Sequence, residues 1–170
     1  MSEHAFQHGT CISFGDAGVL LLGPPGSGKS DLALRLIDQS GSGISGVMKR
    51  SQLVADDQVI VRRQKERLVA SAPPSIAGLI EIRGLGPVSL PYLREIELAL
   101  AVRLAANPTI ERLPELENNR WVILGVSLPM IEIDAASASA PARIRAALDR
   151  MAGQESRLQG GDDRGIVRVL

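Results

Sequence analysis

Eight consecutive residues, Gly23-Pro24-Pro25-Gly26-Ser27-Gly28-Lys29-Ser30, constrain this chain more tightly than anything else in it. They have the form Gly-x4-Gly-Lys-Ser, a complete phosphate-binding loop. Ahead of them runs the wholly apolar Val19-Leu20-Leu21-Leu22. Behind them Leu32, Ala33, Leu34, Leu36 and Ile37 suit a helix packed on a sheet, with Gly41 as its stop. A strand, a tight turn and a helix are expected in that order. Small residues let successive backbone N–H groups turn inward around phosphate oxygens, while the helix aims its positive end at the same point. Lys29 then reaches the β- and γ-phosphates, and the Ser30 hydroxyl is offered to Mg2+. The loop reads as a site for ATP with Mg2+.

A strand of that kind needs a sheet around it, and composition says what the sheet is made of. Apolar residues are 45% of the 170, yet aromatic ones only 2%, so the core must come from Leu, Ile, Val and Ala. That points to an α/β fold. The length suits one compact domain over 1–170, with a core over about 5–151 and a flexible tail over 152–170. Nineteen basic residues balance nineteen acidic ones, so no long-range field draws in nucleic acid or anionic lipid. The single cysteine, Cys11, lies in an apolar stretch and reads as a small buried hydrophobe in a reducing cytosol. No basic and apolar leader opens the chain, and no run approaches the ~18 apolar residues that cross a bilayer. A cytoplasmic protein is expected.

Along the chain, Thr10–Phe14 alternates as a strand and turns at Gly15-Asp16 into Val19–Leu22. Residues 40–51, rich in Gly and Ser, read as a mobile surface insertion. Leu53-Val54-Ala55 leads into Asp56-Asp57, and Gln58–Arg62 pairs back on Arg67–Ala70 across Gln64-Lys65-Glu66. Leu79–Ile82 is a short extended piece before an irregular turn at Gly84-Leu85-Gly86-Pro87. Glu97–Leu104 and Trp121–Val126 read as strands either side of a polar loop, Pro129–Asp134 as an edge segment. Ile144, Ala147, Leu148 and Met151 mark a last helix.

Asp56-Asp57 ends an apolar strand downstream of Lys29, where an acidic element meets the P-loop metal in an α/β sheet. One carboxylate can hold the metal or its waters, and the other can take a proton from an attacking hydroxyl. By itself the pair is a solvated turn opening a hairpin. Glu81 and Arg83 alternate on one face of an extended segment and, by composition alone, form an ordinary surface ion pair. His8 alone is a solvated N-terminal histidine, and Arg112 alone is one of nineteen basic residues.

Taken together, His8-Gly9, the P-loop, Leu53-Val54-Ala55-Asp56-Asp57 and Glu81-Ile82-Arg83-Gly84-Leu85-Gly86 resemble the catalytic domain of bacterial HPr kinase/phosphorylase in order and spacing. The resemblance covers residues 5–134 and implies a P-loop-containing mixed β-sheet with flanking helices, in a phosphoenolpyruvate-carboxykinase-like arrangement. It implies that His8 is an active-site residue near the acidic pair, that Lys29 contacts phosphate and that Ser30 and Glu81 bind Mg2+. Arg112 becomes a catalytic arginine. Asp57 becomes the base that deprotonates an acceptor serine, and Asp56 supports the metal or His8.

The reaction so implied is transfer of the γ-phosphate of ATP to a serine of HPr, the phosphocarrier of the sugar phosphotransferase system. The family assembles as hexamers, and a homo-oligomer is the corresponding expectation here, although the C-terminal helices are shortened to about one. Only seven residues precede His8, so the resemblance is to a short form without the N-terminal sensing domain. Where the family carries Gly-Arg-Asn, linked to phosphorolysis, this chain reads Ile133-Asp134-Ala135-Ala136-Ser137. Kinase activity with weak or absent phosphorolysis is expected. Two other readings use the same loop: a small-molecule or nucleotide kinase with an arginine-rich lid, and an ATP-binding regulatory module without turnover.

Overall fold

The computed structural model describes residues 3–106, 109–111 and 118–159. Its element order is β1 (His4–His8), β2 (Thr10–Phe14), β3 (Ala17–Leu22), α1 (Lys29–Asp38), β4 (Leu53–Ala55), β5 (Gln58–Gln64) and β6 (Arg67–Ser71). There follow a 3-10 turn (Pro74–Ile76), β7 (Leu79–Ile82), β8 (Gly86–Ser89), β9 (Glu95–Leu104), β10 (Arg120–Ile123), β11 (Val126–Ile133) and α2 (Ala140–Gln159). Among the described residues, β7 and β8 form a separate two-stranded hairpin, and the other nine strands form one curled mixed sheet.

Strand β3 explains the sheet. Val19 and Leu21 face one side and Leu20 and Leu22 the other, all buried, so the strand reads as a continuous apolar run instead of an alternating one. Its partners are β2, antiparallel, and β9, parallel, with Leu20 opposite Ala101. β9 in turn pairs antiparallel with β6 at its start (Glu97 opposite Val69) and parallel with β11 at its end (Ala101 opposite Met130). Between these two segments the register slips, Gly18 facing Leu98 and Val19 facing Leu100. The extra residue is Ala99. This bulge moves Leu98 and Leu100 to opposite sides of the sheet and bends the strand, which lets the sheet curl.

Both helices pack on one side. Leu32 and Leu36 of α1, with Ile144 and Leu148 of α2, close over Ile12, Leu21, Leu100 and Val102. The opposite side is closed by the sheet itself, with Val59, Val61 and Leu68 folded against Cys11, Leu20 and Ala101. The two helices thus flank the same face of the sheet. Burial pushes the pKa of the Cys11 thiol up, in keeping with its expected role as a buried hydrophobe.

Several elements differ from the sequence expectation. β1 was not foreseen, and Gly86–Ser89 is strand β8, antiparallel to β7, where an irregular turn was expected. Trp121–Val126 is broken by a turn in which Leu124 (φ 51°) and Gly125 (φ 72°) are both left-handed, so β10 and β11 form a hairpin. Pro129–Asp134 belongs mostly to β11, which continues the sheet beside β9.

Residues 40–51, expected to be mobile, are fastened to α2. The Asp149 carboxylate accepts from the Ile44 and Ser45 amides at 2.9 and 3.1 Å, and Lys49 Nζ lies 3.4 Å away. Arg145, stacked 5.6 Å over the Phe14 ring, donates to the Gln39 carbonyl at the end of α1. α2 runs past Met151 to Gln159. Among the described residues no helix is long and apolar enough to cross a membrane.

Candidate active site

β3 delivers the chain to the phosphate-binding loop and α1 leads it away, as the apolar run and the helical pattern require. Gly26 (φ 77°) and Gly28 (φ 92°) take left-handed conformations that side chains rarely adopt, and that geometry lets the loop double back over the helix start. Gly23 is crowded by a side chain instead. A Cβ there would stand 2.6 Å from Ser27 Oγ.

Lys29 is only 6% exposed. Its ammonium donates to the Gly23 and Pro24 carbonyls, both at 2.9 Å, and so sits across the mouth of the loop. Burial lowers its pKa, while the charges of Asp56 and Asp57 pull it back up. Ser27 Oγ is buried with no hydrogen-bond partner among the described residues, two positions ahead of the first residue of α1. An orphaned donor among free helix N–H groups suits a phosphate oxygen, so these residues fit the nucleotide expected from the sequence.

The acidic pair divides into two environments. Asp56 is 5% exposed, and three donors converge on its carboxylate: Thr10 Oγ1 at 2.7 Å and Ser30 Oγ at 2.8 Å on Oδ1, and the Glu81 amide at 3.1 Å on Oδ2. Asp57 is exposed and takes a left-handed backbone, φ 65°, a region in which Asp is tolerated. Its carbonyl accepts from the Gly9 amide at 3.2 Å and lies 2.9 Å from His8 Nδ1, which is also 3.4 Å from Asp57 Oδ1.

These residues face one cleft of about 540 Å³. Pro25 to Ser30 of the loop, His8, Asp57 and Glu81 all line it, so the structure brings together the site residues expected from sequence apart from Gly23 and Pro24, whose carbonyls hold Lys29, and Asp56 and Arg112. Asp56 lies just beneath the wall, holding Ser30. Arg112 lies outside the described residues. Arg83, expected to be an ordinary surface residue, also lines the cleft, as do Ala135 and Ala136. Arg35 holds that last wall in place by donating to the Ala135 and Ser137 carbonyls, while its Nε pairs with Asp31 at 3.2 Å. Among the described residues no group of three His, Cys, Asp and Glu side chains converges to hold a metal alone. A divalent ion here would take Ser30, Glu81 and phosphate oxygens as ligands, a hard oxygen set that suits Mg2+.

Comparison with known proteins identifies the family. Residues 1–157 match the family model described as the HPr serine kinase C-terminal domain. An HPr kinase/phosphorylase from Lacticaseibacillus casei (strain BL23) is 31% identical over 144 residues, covering 78% of this chain and 42% of that protein. One from Burkholderia lata is 34% identical over 147 residues, covering 81% and 42%. The chain thus spans about two fifths of the length of these curated relatives. The solved structure of the Hpr(Ser) kinase/phosphatase from Coxiella burnetii superimposes with a TM-score of 0.73 at 24% identity, over 91% of this chain and 95% of that one. That likeness concerns the fold.

Proposed function

Because the chain belongs to the family of HPr serine kinase C-terminal domains, we propose that it is an ATP- and Mg2+-dependent protein serine kinase acting in the cytoplasm on a serine of HPr. The observation that carries this reading is the split of the acidic pair: one carboxylate buried on Ser30, the other exposed in the same cleft. A nucleotide site alone needs the first. Among the described residues the second carboxylate makes no ion pair or hydrogen bond except with His8, which leaves it open to an acceptor hydroxyl entering the cleft.

Ser30 and Glu81 would hold Mg2+, which would supply positive charge to offset that on the transferring group. The chain's own residues do the rest. The loop amides and Lys29 hold the triphosphate, and Asp56 accepts the hydrogen bond of the Ser30 hydroxyl, which leaves the lone pairs of that oxygen for a cation. Asp57 orients the serine hydroxyl and takes its proton as the oxygen attacks phosphorus in line, with ADP leaving. His8, on the Asp57 carbonyl, helps keep that carboxylate in place. Glu81 supplies a second oxygen to the metal, and Arg112 is assigned to charge developing on the phosphoryl group.

A small-molecule kinase with an arginine lid fits less well. Arg62 pairs with Glu95, Arg67 with Glu97, and Arg63 with Glu66 and the Leu124 carbonyl, all on the sheet and none in the cleft. We assign the chain to a single P-loop domain of the phosphoenolpyruvate-carboxykinase-like arrangement, and to a homo-oligomer as in its family. The test is incubation with γ-labelled ATP, Mg2+ and HPr, followed by mapping of the labelled residue. Label on a serine is the expected result; label on a histidine, or none, would sink the proposal.

A further inference from the structure

Three successive residues at the corner between β1 and β2 each grip the acidic pair. His8 and the Gly9 amide take the Asp57 carbonyl, and the Thr10 hydroxyl takes Asp56 Oδ1 at 2.7 Å. Thr10 is fully buried. The corner runs close against β3, where a Cβ on Gly9 would stand 2.8 Å from the Leu21 carbonyl oxygen. Asp56 Oδ1 therefore receives two hydroxyls, one from the P-loop helix and one from the rigid sheet behind it.

We infer that Thr10 is a positioning residue for metal-nucleotide binding, fixing the Asp56 carboxylate so that it can hold Ser30. This rests on the reading of the cleft as a Mg2+-ATP site. The terminal torsion of an aspartate is soft, so a carboxylate anchored at one oxygen can rotate. Here the Glu81 amide holds Oδ2 and Thr10 holds Oδ1. The plane is thereby set by two groups that take no part in ligation. Ser30 then has a fixed acceptor for its single proton, which leaves its lone pairs for the cation. Without the Thr10 hydroxyl, Oδ1 depends on Ser30 alone, the very group it must orient.

The test is calorimetric titration of the full chain with a non-hydrolysable ATP analogue, with and without Mg2+, comparing wild type, Thr10→Val and Thr10→Ser. Thr10→Val keeps shape and removes the donor. It is expected to cut the Mg2+-dependent gain in affinity about 10-fold or more, by the usual effect of losing an outer-shell partner. Metal-free affinity should not change, and Thr10→Ser should restore the gain. An undiminished gain in Thr10→Val, or an equal loss in Thr10→Ser, overturns the inference. If a thermal melt shows that the valine variant does not fold, Thr10→Ala is read on the same two titrations. No Mg2+-dependent gain in the wild type would overturn the cleft reading, and this inference with it.

Discussion

The Ser30 hydroxyl lies 2.8 Å from Asp56 Oδ1 and joins the first turn of α1 to the end of β4. Two halves of the cleft that are distant in sequence are thereby tied at one oxygen. The neighbouring carboxylate, Asp57, is turned away from that junction and into the open.

Substitution of the two aspartates by asparagine should therefore have different effects. Asp56→Asn can satisfy its neighbours only by offering its amide NH2 to Thr10 and Ser30 and its oxygen to the Glu81 amide. Ser30 then accepts where it used to donate, and its lone pairs point away from a cation. We expect a folded protein whose Mg2+-dependent nucleotide affinity falls about 10- to 100-fold. Asp57→Asn should keep that affinity, since Asn tolerates the left-handed backbone, and lose transfer by about 10²- to 10⁴-fold as a missing general base. Calorimetry and label transfer, run in parallel, separate the two.

Lys29→Ala should lower transfer about 10²- to 10³-fold, the usual scale for removing one preorganised donor at a reacting charge. Its pH behaviour is a second check. The protonated ammonium binds phosphate, and burial lowers its pKa from 10.5. Nucleotide affinity should accordingly decline as pH rises through a value below 10.5, and Lys29→Ala should abolish that decline.

Gly28→Ala forces a side chain into φ 92° and sets its methyl 3.2 Å from Ala135. The left-handed conformation costs about 1–2 kcal/mol. Its melting temperature should drop by a few degrees, and nucleotide should stabilise the variant less than the wild type.

Asp149 ties residues 44–49 to α2. Burial works to raise its pKa, but donations from the Ile44 and Ser45 amides, with Lys49 and Ser45 side chains, outweigh it and hold the value below 3.8. A depressed carboxylate contributes stability above its unfolded pKa and loses it as pH falls through the folded one. The tether should thus hold at neutral pH and release only as pH falls through a value below the ordinary 3.8. Asp149→Ala should show the released state at pH 7, as faster hydrogen exchange at Ile44 and Ser45 with exchange in β3 little changed.

The wall formed by Ala135 and Ala136 bears on the reverse reaction. Given phosphoserine-HPr and inorganic phosphate, the protein should release little or no pyrophosphate under conditions where it transfers phosphate forward. Comparable rates in the two directions would refute this.

The sequence was informative where local chemistry and local structure coincide. The β3–loop–α1 unit was legible because its apolar run, its glycines and its Lys-Ser pair each require the same geometry. Asp56-Asp57 was found as a pair, yet their unequal burial depends on Thr10 and the Glu81 amide, which arrive from other elements. Thr10 itself looked like an ordinary strand residue, because Thr is common in strands for steric reasons. β1 escaped notice since an edge strand with exposed alternate positions has little apolar pattern. The break at Leu124 was invisible because leucine seldom takes a left-handed turn position. Residues 40–51 looked free because their anchor, Asp149, is about a hundred positions away.

The pairing of β3 with β9 carries a consequence for how the protein is made. Leu20, at the root of the nucleotide loop, lies against Ala101, and Ala101 lies against Met130. A ribosome that has released the loop and its helix has not yet released the strands that support them. Contacts this distant along the chain form late and slow the folding of the domains that depend on them. The nascent chain should consequently be unable to retain ATP until β11 has emerged from the exit tunnel. Arrested chains truncated just before and just after β11 would show where the capacity to bind appears.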